Sequence, residues 1–301
     1  MSLADVAFGL VMVGLSAYLL FGGADFGAGL WHLLSRRRAD KDVIEHAMGP
    51  VWEANHVWLI FVLVMTWTAF PPIFASVMAA HWVPLSLAAL GIVARGSTFV
   101  FAKAVPDQGW YAWIFGASSL VTPYCFGAVA TTVTTGGTSW LSAAGVYGGV
   151  LTTALCAYLA AVYLIWDARR LGDADATLRF QGYAVLSGVV VGLLALPGAV
   201  VFGVRSPMLI VSAAAGLASL VLVLRRRYVA VRATGALAVV TVLWGAAETA
   251  GLDVAAAAAH DAVLQVVFAA LGIGAVVLVP SLLWLYVLFQ RSEPPARPRP
   301  L

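Results

Sequence analysis

The chain has 301 residues, of which 62% are hydrophobic and only 10% are charged, and its formal net charge at pH 7 is +3. Soluble domains carry about 25% charged residues and no more than about half apolar ones, so this composition excludes a soluble globular protein. The basic residues are scattered over short segments and do not gather on one face, which argues against a nucleic-acid partner. We therefore expect an all-α, polytopic membrane protein.

Nine apolar segments are long enough to form transmembrane helices, each of which needs about 20 residues. In chain order they are 6–33, 48–70, 77–102, 112–135, 143–167, 183–203, 207–225, 233–250 and 261–289. The segments that join them on the outer side are short, and we expect the first of these, 71–76, to be a loop. They leave no room for a soluble catalytic domain, so the function is expected to lie within the membrane.

The loop charges predict the orientation of the chain in the membrane. Fifteen of the 17 lysines and arginines fall on one side, against Arg205 alone on the other side and Arg95 inside a span. Because cytoplasmic loops carry the excess of basic residues, the N-terminus should lie outside and the C-terminus in the cytoplasm.

We expect one transmembrane helical domain over residues 1–290. The tail at 291–301 is rich in proline and arginine and should be disordered. A division of the domain into halves at 1–140 and 143–250, with a last helix at 261–289, is left open by the sequence.

Four ionisable residues lie inside the first three predicted spans, where a buried charge is costly and is usually functional. At 1.5 Å per residue, Asp25 lies about 12 Å, Glu53 about 8 Å and Arg95 about 10 Å from the cytoplasmic ends of their helices. His56 is one turn beyond Glu53 on the same helix face, and Asn55 adds an amide beside it. The shared depth predicts a polar cluster in the inner third of the bilayer.

Two interpretations of this cluster are open from the residues alone. Polar side chains often join membrane helices, so the cluster could be an inert polar contact between three helices. Alternatively, Asp25 and Glu53 are relay carboxylates of a proton path from the cytoplasm. In that case Asn55 and His56 organise water, and Arg95 is the counter-charge.

Metal and haem ligation were tested against the same residues. Glu53 and His56 have the spacing of half a di-iron carboxylate site, but no other span supplies the second Glu-x-x-His. Ligation of a haem by two histidines requires a pair at matching depth, and only His81 and His260 meet that condition. Both lie near the outer edge, and we interpret them as interfacial side chains and not as ligands. We therefore predict that this chain holds no metal, no haem and no catalytic residue of its own.

Two segments resemble those of a known family. Residues 23–29, Gly-Ala-Asp-Phe-Gly-Ala-Gly, resemble the Asp-Gly-Phe-Asp-Leu-Gly-Val-Gly element in the first helix of cytochrome bd quinol oxidase subunit II. Residues 49–59, Gly-Pro-Val-Trp-Glu-Ala-Asn-His-Val-Trp-Leu, resemble that family's Gly-Pro-Val-Trp-Asp/Glu-(Gly/Ala)-Asn-x-Val-Trp-Leu at the start of helix 2. The likeness continues to about Val129. One departure is Gly22, which stands where the family element has its first aspartate.

The resemblance implies nine helices, an outer N-terminus and a specific partner. In this family, subunit I carries two haems b and one haem d and oxidises quinol, whereas subunit II binds no haem and pairs with it as a pseudo-symmetric heterodimer. Subunit II is also expected to lend a cytoplasmic proton route, whose matching positions here are Asp25 and Glu53. With Gly22 in place of a carboxylate, water or His56 would have to bridge that route. Some relatives hold a quinone in this subunit, but no residue of this chain can be assigned to it.

We therefore expect the haem-free subunit of a bd-type terminal oxidase in a bacterial plasma membrane, in a complex that oxidises quinol and reduces oxygen to water. The alternative from another class is a secondary transporter with an intramembrane charged site, although paired broken helices in two matching halves are not evident. A haem-containing partner that co-purifies with the chain would separate the two. A purely structural assembly subunit is a third interpretation, in which changes at Asp25 or Glu53 alter yield more than turnover.

Overall fold

The computed structural model describes residues 2–48, 52–101, 109–202 and 206–291, and these residues form helices joined by short turns. The predicted all-α class is confirmed. The helices are α1 (Leu3–Leu34), α2 (Arg38–Met48), α3 (Trp52–Ala69), α4 (Pro71–Ala80), α5 (Trp82–Phe101), α6 (Gly109–Thr134), α7 (Ala143–Arg170), α8 (Ala174–Phe202), α9 (Pro207–Leu224), α10 (Tyr228–Thr249), α11 (Val254–Ala257) and α12 (Asp261–Arg291). Of the predicted tail, residues 292–301 lie outside the described residues.

Within the described part of the chain, seven helices are long and apolar enough to cross a membrane: α1, α6, α7, α8, α9, α10 and α12. The pair formed by residues Asn55–Ala69 of α3 and by α4 raises the number to eight if it is taken as one bent span. Helix α5 has 20 residues and lies inside the predicted span 77–102. The protein is therefore a polytopic membrane protein. The count of nine spans, the orientation of the termini and the division into halves stay predictions.

Helix α4 occupies the segment for which a loop at 71–76 was predicted, so that prediction was wrong. Proline cannot continue a helix but suits the first turn of a new one, which explains why α3 ends just before Pro71 and Pro72. Between the two helices, Phe70 has φ −135° and ψ 59°, and the chain bends there by 117°. The next long helix consequently begins at Trp82 and not at residue 77.

Helix α2 is a second element that the apolar pattern did not reveal, because it is amphipathic. Its Val43 and Ile44 are buried in the main core. On the same face, one turn earlier, the buried Asp40 accepts hydrogen bonds from Arg179 of α8, with Nε at 2.9 and 3.0 Å from the two carboxylate oxygens and Nη2 at 2.5 Å from one of them. These contacts fix α2 against the bundle directly after α1.

Helix α1 lies at the centre of the bundle and packs against α3, α6 and α7. Its glycines permit close approach of α7: a Cβ atom on Gly27 would overlap the backbone carbonyl of Cys156. Nearby, the indole Nε1 of Trp31 donates to the carbonyl of Ala157 at 2.7 Å. This packing places the middle of α1, including Asp25, in the interior of the bundle.

Helices α3 and α12 present large apolar side chains that no other part of the described chain covers. On α3, Ile60 is 59% and Trp67 is 63% exposed. On α12, Leu264 is buried near the start, but Ile273 and Val276 are 73% and 74% exposed. Such surfaces in a membrane protein face lipid or another subunit.

Candidate functional site

Asp25 of α1 and Arg95 of α5 form an ion pair inside the bundle. Arg95 Nη2 lies 2.8 Å from Asp25 Oδ1 and also donates to the backbone carbonyl of Asp25 at 2.7 Å. The side chains of Arg95 and Asp25 are only 3% and 6% exposed. Two charges removed from water are tolerated only when they compensate each other, and this contact supplies the compensation. The structure thus brings together an acid and a base that are 70 positions apart.

Helix α6 holds the guanidinium of Arg95 from a second side. Nη1 of Arg95 donates to the hydroxyl of Ser119. The guanidinium also lies 4.3 Å from the ring centroid of Phe115 and 5.5 Å from that of Phe26, so both rings give cation–π contacts. A Cβ atom on Gly29 would lie 2.6 Å from Arg95 Nη1, which explains why that position of α1 carries no side chain. The arginine is therefore fixed by three helices.

The two oxygens of the Asp25 carboxylate have different surroundings. Oδ1 is bound by Arg95, whereas Oδ2 is buried and receives no hydrogen bond from any residue that the structure describes. Buried polar atoms without a partner are rare in folded proteins and usually mark an ordered water or a functional group. Among the described residues, Arg95 thus holds one oxygen of this carboxylate and none occupies the other.

The structure places one predicted residue of α3, Asn55, against the backbone of α1. Asn55 is 3% exposed and donates Nδ2–H to the carbonyl of Phe21, one turn before Asp25, at 3.3 Å. His56 follows and is half-buried. The backbone of Glu53 belongs to α3, but its side chain lies outside the described residues. Position 53 lies two residues before Asn55, about 3 Å along α3. It is therefore closer in depth to Asp25 than Asn55 is.

Ser119 and Tyr18 belong to this site and were not predicted from the sequence. Ser119 binds Arg95, and Tyr18 lies on α1 with a buried hydroxyl. A signal for the serine exists, since Ser118, Ser119 and Thr122 form a polar stripe on an otherwise apolar helix. A signal for Tyr18 exists as well, because it lies two turns before Asp25 on the same face of α1. The contacts are observed, and the proton-carrying roles of the predicted residues stay predictions.

A second acid–base contact joins α1 to α2 near the end of α1. His32 Nε2 lies 3.0 Å from Glu45 Oε1, with His32 buried and Glu45 half exposed. The hydrogen bond from His32 holds the pKa of the Glu45 carboxyl below its ordinary value of 4.5, and partial burial opposes this effect. The contact joins α2 to the C-terminal end of α1, two turns after Asp25.

The fold and the site define a polytopic helical membrane protein with a compensated ion pair buried at its central helix. Comparison with known proteins narrows this class. The family model of cytochrome bd terminal oxidase subunit II matches residues 3–289. The chain therefore belongs to this family, and the family expected from residues 23–29 and 49–59 is confirmed.

Two curated relatives show how far the likeness in sequence extends. Cytochrome bd ubiquinol oxidase subunit 2 of Bacillus subtilis (strain 168) is 27% identical over an alignment of 210 residues, gaps included, that covers 64% of this chain and 62% of that protein. Cytochrome bd-I ubiquinol oxidase subunit 2 of Escherichia coli (strain K12) is 25% identical over 122 residues, which are 39% of this chain and 32% of that protein. This chain thus matches less than two thirds of the length of either relative.

A solved structure extends the likeness in fold over nearly the whole chain. A chain of the bd oxidase from Geobacillus thermodenitrificans superposes with a TM-score of 0.71, and the match covers 97% of this chain and 100% of that one. The two sequences are 22% identical in this comparison, so it supports the shared fold and not a shared chemistry.

Proposed function

We propose that this chain is the haem-free subunit II of a bd-type terminal oxidase in a bacterial plasma membrane. The complex would oxidise quinol and reduce oxygen to water, with the haems b and d in a partner subunit I. This chain would supply a cytoplasmic proton path and a scaffold for the heterodimer. Membership in the family supports this proposal, as do the names of the two relatives, which are subunits of ubiquinol oxidases.

The observation that carries the proton path is the half-bound carboxylate of Asp25. A carboxylate can take up and release a proton, and the open Oδ2 provides the atom for it. Arg95 keeps the compensating charge in place during each transfer. In the proposed route, protons pass from the cytoplasm through Glu53 and Asp25 toward the partner, and Asn55 and His56 organise the water between them.

The scaffold role rests on the exposed apolar faces of α3 and α12. Side chains such as Trp67 and Val276 protrude from the bundle without cover from the described chain. Helix α3 also carries the acidic position 53, so a partner that packs on this helix would lie next to the proposed route. The same surface would then both join the subunits and deliver the protons.

The route is tested with Asp25→Asn and Glu53→Gln in the complex purified with its haem-carrying partner. Each substitution keeps the shape and removes the titratable group, so quinol-driven oxygen consumption should fall at least about tenfold, which corresponds to about 1.4 kcal/mol. The absorption spectrum of the haems should stay normal. Glu248→Gln is the matched control, because that carboxylate binds Ser206 near the other end of the bundle.

Normal turnover in both Asp25→Asn and Glu53→Gln would contradict the route. Normal turnover per haem with a lower yield of complex would favour the assembly role. Purification of the chain without any haem-containing subunit would favour the transporter. The three interpretations therefore give different results in one set of preparations.

A further inference from the structure

Tyr18 lies on α1 two turns before Asp25, on the same face of the helix. Its ring is buried and packs edge-on against Phe26 and Phe126, with centroid distances of 6.4 and 5.9 Å. A Cβ atom on Gly22 would lie 3.0 Å from Cε2 and 3.5 Å from Cζ of Tyr18. The ring therefore packs against Gly22 and against Phe26, the residue that follows Asp25.

Two buried oxygens without a partner border this stretch of α1. Among the described residues, none forms a hydrogen bond with the Tyr18 hydroxyl or with Asp25 Oδ2. Tyr18 is 8% and Asp25 is 7% exposed, so neither oxygen forms its hydrogen bonds with bulk water. A buried tyrosine hydroxyl normally finds a partner, and a buried water needs two to four polar neighbours. The Tyr18 hydroxyl and the Asp25 carboxylate would be two of these polar neighbours.

We propose that Tyr18 and Asp25 hold a buried water molecule between them, and that this water is the next member of the proton route. The inference rests on the function proposed for Asp25. The water accepts a proton from Asp25 Oδ2 and releases one of its own to a further water, so its composition does not change. Tyr18 keeps its proton and acts as a positioning residue that orients the water.

The position of Gly22 agrees with this assignment. The family element has an aspartate there, and this chain has no side chain. The ring of Tyr18 fills the space beside Gly22 and brings a hydroxyl group to a region from which a carboxylate is missing. The sequence left open whether water or His56 bridges the proton route at Gly22. These contacts of Tyr18 favour water.

The test is Tyr18→Phe in the complex purified with its haem-carrying partner. The substitution keeps the packed ring and removes only the hydroxyl, so the haem spectrum should not change. We expect oxygen consumption to fall at least threefold and the ratio of the rates in H2O and D2O to rise, because the proton transfer becomes slower. A purely structural role would not change that ratio. Tyr158→Phe is the matched control, since Tyr158 is equally buried but already bonds to Ser219 at 2.5 Å.

The outcomes separate this inference from the function on which it rests. A wild-type rate and isotope ratio in Tyr18→Phe, together with a slow Asp25→Asn, would overturn the role of Tyr18 and leave the route through Asp25 intact. Wild-type rates in both variants would overturn both proposals. A map of the complex that resolves ordered water should show density within hydrogen-bond distance of both oxygens, and a dry gap would also overturn the water site.

Discussion

In the part of the chain that the structure describes, two aspartate–arginine pairs join helices, and they differ in how completely the carboxylate is bound. In the pair between α2 and α8, Arg179 donates to both oxygens of Asp40. In the pair between α1 and α5, Arg95 binds Oδ1 of Asp25 and also donates to the backbone carbonyl of Asp25 and to Ser119, and no described residue binds Oδ2. A carboxylate bound on both oxygens serves as a clamp, whereas one bound on a single oxygen keeps the capacity to bind water or a proton.

Burial by itself does not distinguish the two acids. Asp40 is 2% and Asp25 is 7% exposed, so both are removed from water. The arginines differ more, because the Arg179 side chain is 23% exposed and the Arg95 side chain is 3% exposed. A buried acid therefore becomes a candidate site through its unused hydrogen-bonding capacity.

Asp25→Ala should have the largest effect on stability. It leaves the charge of Arg95 buried without its partner, and breaking a buried pair in this way costs about 3–5 kcal/mol. The melting temperature and the yield of the purified complex should both fall. Because Asp25→Ala/Arg95→Leu removes the stranded charge as well, this double variant should recover part of the loss. Equal losses in the single and double variants would show that charge compensation is not the cause.

Asp40→Asn should have a smaller effect and should leave turnover unchanged. The substitution weakens hydrogen bonds to a charged group, at about 1–3 kcal/mol, and the partly exposed Arg179 can turn to water. Thermal unfolding of the complex and oxygen consumption per haem are the two measurements. If turnover falls while the haem spectrum is normal, the clamp also takes part in function and the contrast between the two pairs is lost.

The contact between His32 and Glu45 should give the smallest effect, and that effect should depend on pH. Because the hydrogen bond lowers the pKa of the Glu45 carboxyl, the contact stabilises the folded protein above the ordinary value of 4.5. This stabilisation should disappear as the pH falls through the lowered pKa. The measurement is the difference in melting temperature between the wild type and Glu45→Gln as a function of pH. A difference that stays constant from pH 7 to acid conditions would contradict the assignment.

Much of the helical architecture could be predicted from the sequence. The segments predicted at 143–167, 207–225 and 261–289 are the helices α7, α9 and α12 to within a few residues. Helix α2 could not be predicted in the same way, because its amphipathic pattern buries only one face and has no continuous apolar run. Helix α4 was missed because paired prolines mark the end of one helix and the start of another equally well.

The candidate site was only partly predictable. Asp25, Asn55 and Arg95 were selected because polar groups in apolar spans are uncommon. Ser119 was not selected, since serine hydroxyls in helices often bond only to the preceding turn. Tyr18 was not selected because an aromatic ring is compatible with an apolar helix. The sequence pattern did not show that arginine binds both oxygens of Asp40 but only one side-chain oxygen of Asp25.

By itself, the sequence determined that this chain is an all-helical membrane protein of the bd oxidase subunit II family, with acidic and basic groups at similar depth. That information is contained in composition, in the length of the apolar runs and in two local motifs. The tertiary structure was needed to show that Arg95 binds Oδ1 of Asp25 and that no described residue binds Oδ2. Helix α1 is apolar on all sides, so its sequence does not specify which face meets α5, and the rotation of each helix is set by the packing of its neighbours.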